Sequence, residues 1–171
     1  LMNDSGCVTP QVIGIIGGMG PLASTEFVKK IYTSAVTNND RGITGEQALP
    51  RVLLDSNPDV YDRTEVLLND RSKYPLVLSE LIRRARWLES GGATEIILAC
   101  ITAHYWLDDF PKDILDKVRD LRSLLESAVS GNIDKHFYLV ATAGSVSCGV
   151  LARIISSPNV YTPKGKQLNI L

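Results

Sequence analysis

The residues with the clearest chemical potential lie in the segment from Cys100 to His104. This segment follows Glu95 to Ala99, an apolar run typical of a buried strand. A cysteine between a strand and the start of a helix lies where a thiolate is favoured. At helical spacing His104 would lie on the same face, one turn away, and would stabilise that thiolate. The alternatives are a structural buried cysteine and a histidine that packs or caps a helix, and the sequence leaves both open.

A second polar segment, Asp62-Arg63-Thr64, follows the strand-like run Arg51 to Asp55. An arginine in such a loop can hold a carboxylate through two parallel hydrogen bonds. The alternative is a surface arginine paired with Asp62 or Glu65.

The third segment is the glycine turn from Gly17 to Pro21. Glycines allow a ligand to approach the backbone closely, and the free N–H groups at the start of the next helix favour an anion. The spacing differs from the dinucleotide-binding fingerprint, so a nucleotide site is not favoured. A tight connection between a strand and a helix is the alternative.

Strands and helices alternate along the chain, which predicts an α/β fold with a parallel sheet. The predicted strands are Val12 to Ile16, Arg51 to Asp55, Glu95 to Ala99, Phe137 to Ala141 and Asn159 to Thr162. Apolar residues at helical spacing predict helices around Phe27 to Ala35, Leu78 to Leu88, Ile114 to Ala128 and Val146 to Ile155. In the second of these helices, Arg83, Arg84 and Arg86 are expected on a polar face opposite the apolar one. Gly91 and Gly92 are expected to end the second of these helices.

Ligands of such folds bind beyond the carboxyl ends of the strands, where four loops are expected. These loops are Gly17 to Pro21, Ser56 to Thr64, Cys100 to His104 and Thr142 to Ser145. We therefore expect the functional site at this edge of the sheet.

Composition narrows the function classes. The 171 residues carry 18 Lys and Arg against 19 Asp and Glu, a net charge of −1, which argues against nucleic-acid binding. The apolar runs are too short to span a membrane, and the N-terminus lacks the pattern of a signal peptide. Three scattered cysteines, Cys7, Cys100 and Cys148, predict neither a disulfide scaffold nor a zinc site. We expect one cytoplasmic protein that acts on a small molecule.

Five segments together resemble the aspartate/glutamate racemase family, within the superfamily that includes hydantoin racemases. They are IGIIGGMGPLAS (Ile13–Ser24), LLDSNPDVYDRTE (Leu53–Glu65), ARWLESGGA (Ala85–Ala93), IILACITAH (Ile96–His104) and VATAGSVSCGVL (Val140–Leu151). The order of GGMGP, DRT and Cys-x-Thr-Ala-His is a specific combination.

This resemblance implies two similar α/β lobes with parallel sheets and a substrate cleft between them. The first lobe would comprise residues 11–111, and residues 112–171 would form an incomplete second lobe. Family members racemise amino acids without metal, pyridoxal phosphate or another cofactor. Two cysteines face opposite sides of the substrate Cα, and one takes the α-proton while the other donates a proton.

The resemblance assigns the first of these cysteines to Cys100. The implied substrate-binding residues are Met19, Asp62, Arg63, Thr64, Ile101, Thr102, Ala103 and Ser145. Arg63 would hold one carboxylate of the substrate, and the segment after Cys100 would hold the other.

The chain departs from the family pattern in three places. Ile101 stands where the family has an asparagine, which exchanges a hydrogen-bonding amide for an apolar side chain. The chain reaches Leu171 without the Gly-Cys-Thr-Glu motif of the second cysteine, and neither Lys164 nor Lys166 clearly matches the family's substrate-binding lysine. The strand expected after the Cys100 loop is replaced by a polar stretch, Asp108 to Asp120, which we expect to be a degraded strand or a helix.

These departures predict a C-terminally truncated chain that is either a fragment or associates with itself, as a homodimer, to cover exposed apolar surface. Cys148 is expected to be a helix or packing cysteine rather than the second catalytic cysteine. Two further functions remain as alternatives: a non-catalytic paralogue that binds an amino acid or dicarboxylate, and a related decarboxylase or isomerase on the same scaffold.

Overall fold

A computed structural model describes residues 11–38 and 45–162 of the chain. The strands are β1 (Val12–Gly17), β2 (Arg51–Ser56), β3 (Glu95–Leu98), β4 (Val118–Arg119), β5 (Phe137–Tyr138) and β6 (Val160–Tyr161). The α-helices are α1 (Pro21–Asn38), α2 (Arg63–Leu68), α3 (Tyr74–Ser90), α4 (Lys112–Leu115), α5 (Leu121–Ser130), α6 (Ala143–Ser147) and α7 (Ala152–Ile155). Short 3-10 helices cover Glu46–Ala48, Arg71–Lys73 and Thr102–Asp109. The expectations for Cys7, Lys164 and Lys166 lie outside the described residues.

The chain divides into two compact units built from interleaved segments. Of the described residues, the first unit contains 11–38, 45–59, 81–99 and 112–119, and the second contains 60–80, 100–111 and 120–162. The sequence-based division into residues 11–111 and 112–171 stays a prediction.

The first unit is built on a four-stranded parallel sheet with the order β2-β1-β3-β4. Its central strand β1 carries Ile15 and Ile16, which are fully buried as expected for a strand covered on both faces. At Gly14 on the same strand, a Cβ would come within 2.9 Å of the Ala93 Cβ and 3.2 Å of the Leu88 Cβ. The strand therefore packs closely against the end of α3 and the turn that follows it.

The second unit contains a small parallel sheet of β5 and β6. One face of this sheet packs on a core cluster of Val129, Leu151 and Ile154. Phe137 and Val160, which are paired across the two strands, both pack on this cluster. Tyr138 and Tyr161 at the next positions are exposed, because side chains alternate across a strand.

These two parallel sheets with surrounding helices confirm the predicted α/β class. The three predicted strands of the first unit and the helices α1 and α3 are present. Helix α3 ends at Ser90, and Gly92 adopts a φ of 94° that favours glycine, as predicted for its C-terminal stop. Among the described residues, none of the helices has the length and apolar character needed to cross a membrane.

The single helix expected from Ile114 to Ala128 is wrong. The segment instead forms α4, the two-residue strand β4 and then α5. Val118 pairs with Ile96 at the edge of the main sheet, and Asp120 begins α5 by accepting a hydrogen bond from the Arg122 N–H at 2.8 Å. The polar stretch therefore retains a short strand as well as a helix.

Other predicted elements are shorter than expected. The strand predicted from Phe137 to Ala141 ends at Tyr138, and the one predicted from Asn159 to Thr162 is reduced to β6. The helix predicted from Val146 to Ile155 is divided into α6 and α7, because Gly149 between them has a φ of 77°.

All four predicted loops run into helices. The segment Gly17 to Pro21 ends on the first residue of α1, and Thr142 to Ser145 enters α6 at Ala143. The segment Ser56 to Thr64 already enters α2 at Arg63, and the Cys100 to His104 segment enters a 3-10 helix at Thr102. These helical starts therefore lie within the segments expected to carry the chemistry.

Candidate active site

Cys100 lies two residues after the carboxyl end of β3, one of the two inner strands of the main sheet. The preceding residue, Ala99, donates its N–H to the Ile16 carbonyl at 3.0 Å and so extends the ladder between β3 and β1. Cys100 itself is a free, half-buried cysteine. Its carbonyl oxygen accepts a hydrogen bond from the Ala103 N–H at 3.2 Å, which bends the chain into the 3-10 helix.

His104 is fully buried and binds main-chain groups through both ring nitrogens. Its Nδ1 lies 2.9 Å from the Cys100 carbonyl oxygen, and its Nε2 accepts the Leu121 N–H at 3.2 Å. Burial lowers the pKa of this imidazole, so the neutral form is favoured. The histidine is thus the packing and capping residue of the two alternatives, and it is not poised to stabilise a thiolate.

Three hydroxyl groups form a compact cluster in the second unit. Thr102 Oγ1 lies 2.7 Å from Ser145 Oγ and 3.1 Å from Thr142 Oγ1, and the latter two oxygens are 3.1 Å apart. Thr102 and Ser145 are buried, so these hydrogen bonds are shielded from solvent. The cluster joins two segments that the sequence analysis selected separately.

Thr142 belongs to this cluster and was missed in the sequence analysis. It is the N-cap of α6, and its side chain accepts a hydrogen bond from the Ser145 N–H at 3.3 Å. A threonine three residues before a serine at the start of a predicted helix is a capping signal that would have identified it.

The Asp62-Arg63-Thr64 segment is organised by the start of α2. Asp62 caps the helix, with its side chain accepting the Glu65 N–H at 2.7 Å. Arg63 is half-buried, and its Nη1 donates to the carbonyl oxygens of Val60 at 3.2 Å and Tyr61 at 3.0 Å. These two hydrogen bonds hold one terminal nitrogen of the guanidinium group against the preceding loop.

Helix α6 packs very closely on α2 at one glycine. A Cβ on Gly144 would lie 2.7 Å from Thr64 Oγ1 and 2.9 Å from Thr64 Cα. Only glycine permits this approach, which brings Thr64 next to the residue that precedes Ser145. Three predicted substrate-binding segments therefore meet within the second unit.

Ile101 has a structural role at the position where the racemase family has asparagine. Its half-buried side chain packs against the core cluster of Val129, Leu151 and Ile154. An amide here would be placed against apolar side chains, where an unpaired polar group is costly. The neighbouring Ala103 is fully buried.

The glycine turn belongs to the first unit and is a tightly bonded connection. Ser24 Oγ accepts the Gly18 N–H at 3.0 Å and donates to the Gly20 carbonyl at 2.9 Å. Gly18 has a φ of 85°, and a Cβ on it would overlap with the main chain of Asn57. Met19 in this turn is buried. These contacts agree with the interpretation of the segment as a tight turn.

Arg84 was expected on a polar helix face, and this expectation is wrong. The residue is completely buried. Its Nε donates to Asp55 Oδ2 at 2.6 Å, and its Nη2 donates to the carbonyl oxygens of Gly17 at 2.7 Å and Asp55 at 2.6 Å. Arg84 therefore ties together the carboxyl ends of β1 and β2 in the first unit.

All predicted site residues except Met19 lie in the second unit. Cys148, the other described cysteine, lines a cavity of about 310 Å³ together with Tyr74 and Tyr105. Within residues 11–38 and 45–162, no group of His, Cys, Asp and Glu side chains is arranged to hold a metal ion.

Solved structures of racemases share this fold. An aspartate racemase from Picrophilus torridus has 27% sequence identity and a TM-score of 0.75, and the match covers 92% of this chain and 63% of that protein. An aspartate racemase homologue from Pyrococcus horikoshii OT3 has 17% identity and a TM-score of 0.66, with 94% of this chain and 67% of that protein covered.

A third structure, a candidate Asp/Glu racemase from Yersinia pestis, has 17% identity and a TM-score of 0.70, and the match covers 93% of this chain and 67% of that one. No protein-family model matches the chain. The chain thus spans about two thirds of the length of these structures, and the resemblance inferred from the motifs is confirmed.

Proposed function

This chain shares its fold and its motifs with the aspartate/glutamate racemase family, and from this we propose that it is a cofactor-independent amino-acid racemase of the aspartate or glutamate type. The observation that carries the proposal is the contact of Thr102 with Ser145, and of Thr64 with the adjacent Gly144, within the unit that also contains Cys100 and Arg63. These residues lie far apart in sequence, and each belongs to a segment selected for its chemistry.

In the proposed reaction, the Cys100 thiolate removes the α-proton of the bound amino acid. The Cα–H bond breaks, an S–H bond forms, and the electron pair is delocalised into the α-carboxylate. Arg63 holds a carboxylate of the substrate, and the hydroxyl of Thr102 and the N–H groups after Cys100 stabilise the developing negative charge. No metal or organic cofactor is needed for this proton transfer.

Inversion requires a proton from an acid on the opposite face of the Cα. The Gly-Cys-Thr-Glu motif that supplies this acid in the family does not occur in the 171 residues. Return of a proton from Cys100 itself regenerates the starting enantiomer with an exchanged hydrogen. Exchange of the α-hydrogen is therefore a more sensitive measure of Cys100 function than racemisation.

Self-association is part of the proposal. The face of the small sheet opposite the core cluster carries the exposed side chains Tyr138, Val140 and Tyr161, and the two tyrosine rings stack with centroids 5.5 Å apart. A parallel sheet normally has both faces covered. We therefore propose that a second copy of this chain covers this face in a homodimer.

The experiment that tests the function incubates the 171-residue chain with each enantiomer of aspartate and glutamate in deuterium oxide. Loss of the α-proton signal in the NMR spectrum measures exchange, and chiral chromatography measures inversion. We expect exchange with at least one of the amino acids and a loss of at least about 100-fold in Cys100→Ala.

Cys148→Ala is the matched control, because Cys148 is also a free, half-buried thiol of the second unit. It should retain the wild-type exchange rate. Equal exchange in wild type and Cys100→Ala would refute the role of Cys100. Ligand-induced thermal stabilisation without any exchange would instead favour the binding paralogue, an alternative that the apolar Ile101 supports.

A further inference from the structure

His104 forms a bridge between the main chain at Cys100 and the first turn of α5. Its Nδ1 is 2.9 Å from the Cys100 carbonyl oxygen, and its Nε2 is 3.2 Å from the Leu121 nitrogen. A main-chain N–H can only donate, so Nε2 must be the unprotonated acceptor. The proton then lies on Nδ1, which donates to the Cys100 carbonyl.

The surroundings of His104 keep it in this neutral form. The side chain is fully buried, and desolvation lowers its pKa. The charged groups that act on it oppose one another, because Asp120 favours the protonated imidazole and Arg122 disfavours it. Asp120 and Arg122 are themselves joined by a two-pronged ion pair.

The bridge restricts the peptide group between Cys100 and Ile101. The Cys100 carbonyl accepts from both His104 Nδ1 and the Ala103 N–H, at 2.9 Å and 3.2 Å. Because the peptide group is planar, two donors on its carbonyl also set the direction of the Ile101 N–H. The other end of the bridge is anchored on α5, whose N-terminus Asp120 caps.

We propose that His104 is a positioning residue that holds the Cys100 main chain in its reactive conformation by donating a hydrogen bond from Nδ1 to the Cys100 carbonyl. The inference rests on the proposed role of Cys100 in proton transfer. It assigns the histidine of the Cys-x-Thr-Ala-His segment a task in which it never exchanges a proton with the substrate.

Two substitutions separate the two ends of the bridge. In His104→Asn the amide nitrogen occupies the place of Nδ1 and can still donate to the Cys100 carbonyl, but the acceptor for Leu121 is lost. In His104→Gln the longer amide can accept the Leu121 N–H, but the donor to Cys100 is lost. A side chain that only fills the core would favour Gln, which is close to His in volume, over the smaller Asn, so the two roles predict opposite orders for the variants.

The main readout is the alkylation of Cys100 by iodoacetamide, followed by peptide-resolved mass spectrometry with Cys148 as an internal reference. We expect His104→Gln to raise the ratio of Cys100 to Cys148 alkylation rates by about fivefold or more, because the half-buried thiol becomes mobile. The ratio in His104→Asn should stay within about twofold of wild type. His136→Gln, at the other and exposed histidine, should leave the ratio unchanged.

Kinetics supply the second readout. His104→Gln should lower kcat for α-hydrogen exchange by about tenfold with KM nearly unchanged, while His104→Asn restores most of kcat. The NMR spectrum of ¹⁵N-labelled imidazole in the wild-type chain should show the neutral tautomer with the proton on Nδ1.

A proton on Nε2, or equal alkylation ratios in the Asn and Gln variants, would overturn the proposal. The alkylation and NMR measurements need no substrate. A chain that shows the expected tautomer and alkylation ratios but no exchange would therefore refute the racemase function and leave the positioning of Cys100 in place.

Discussion

Replacement of Gly144 by alanine tests the contact that brings the predicted substrate-binding segments together. The new methyl group would lie 2.7 Å from Thr64 Oγ1, 2.9 Å from Thr64 Cα and 3.1 Å from Thr64 Cβ. A side-chain hydroxyl can rotate away, but the Cα belongs to the main chain of α2. The substitution therefore requires α2 and α6 to move apart.

The expected loss of stability is the difference of two effects. Overpacking of a close contact costs about 1–3 kcal/mol. Alanine recovers up to about 1 kcal/mol because it is a better helix former than glycine. A contact of 2.9 Å with a main-chain atom belongs in the upper part of the range for overpacking, about 2–3 kcal/mol. The net loss should therefore be about 1–2 kcal/mol, which corresponds to a decrease in Tm of about 3–6 °C for a chain of this size.

Thermal unfolding followed by circular dichroism measures this change, and urea unfolding gives the free energy. Gly20→Ala is the matched control, because a Cβ there has no neighbour within 4 Å. Its Tm should stay within about 1 °C of wild type. A Gly144→Ala variant as stable as wild type, or more stable, would show that α2 and α6 do not meet at Thr64, and the proposed assembly of the site would be refuted with it.

Three further predictions follow from single side chains. Arg84→Met should destabilise the chain by about 3 kcal/mol in urea unfolding, since it leaves the Asp55 carboxylate without its buried partner, whereas the exposed Arg83→Met should change stability by less than about 0.5 kcal/mol. Burial lowers the pKa of His104 below 6.5, so the unfolded state takes up a proton before the folded state does as the pH falls. The free energy of unfolding should therefore decrease below about pH 6.5, by up to about 1.4 kcal/mol per pH unit, and His104→Gln should lack this pH-dependent decrease. Ile101→Asn should lower the free energy of unfolding by about 1–2 kcal/mol through lost packing, and an unchanged value would contradict the contact of Ile101 with the core cluster.

The elements of the first unit were predictable because each has a strong local signal. The strand β1 is a β-branched run that ends in glycines, and α3 shows a clear 3.6-residue period that ends at Gly91. The part of the second unit from β5 to β6 is built from strands of two residues and helices of four or five. Elements of that length span about one period of their structure, so they leave little periodic signal in the sequence. Their boundaries depend on local backbone conformation, such as the φ of 77° at Gly149, and on tertiary packing.

The site was only partly predictable for a related reason. The motif order identified the segments at Arg63, Cys100 and Ser145, but it did not identify Thr142, whose hydroxyl completes the cluster. Arg84 has the sequence context of a solvent-exposed arginine, and it is buried because three oxygens from the ends of two strands meet beside α3. Such a cluster of acceptors exists only once the sheet has formed.

The residues of the segment Cys100 to His104 have different roles in the structure. Ile101 packs on the core, Thr102 joins the hydroxyl cluster, and His104 fastens the main chain to α5. Ile101 and His104 are committed to structural contacts and Thr102 contributes its hydroxyl to the proposed site, while the half-buried thiol of Cys100 lies two residues after the end of β3. Removal of the thiol should therefore leave the fold of the segment intact, which is why loss of exchange in Cys100→Ala would report on chemistry rather than on unfolding. A binding paralogue would keep the same three contacts, and its affinity for the ligand would not change when the thiol is removed. The effect of Cys100→Ala therefore distinguishes the two functions.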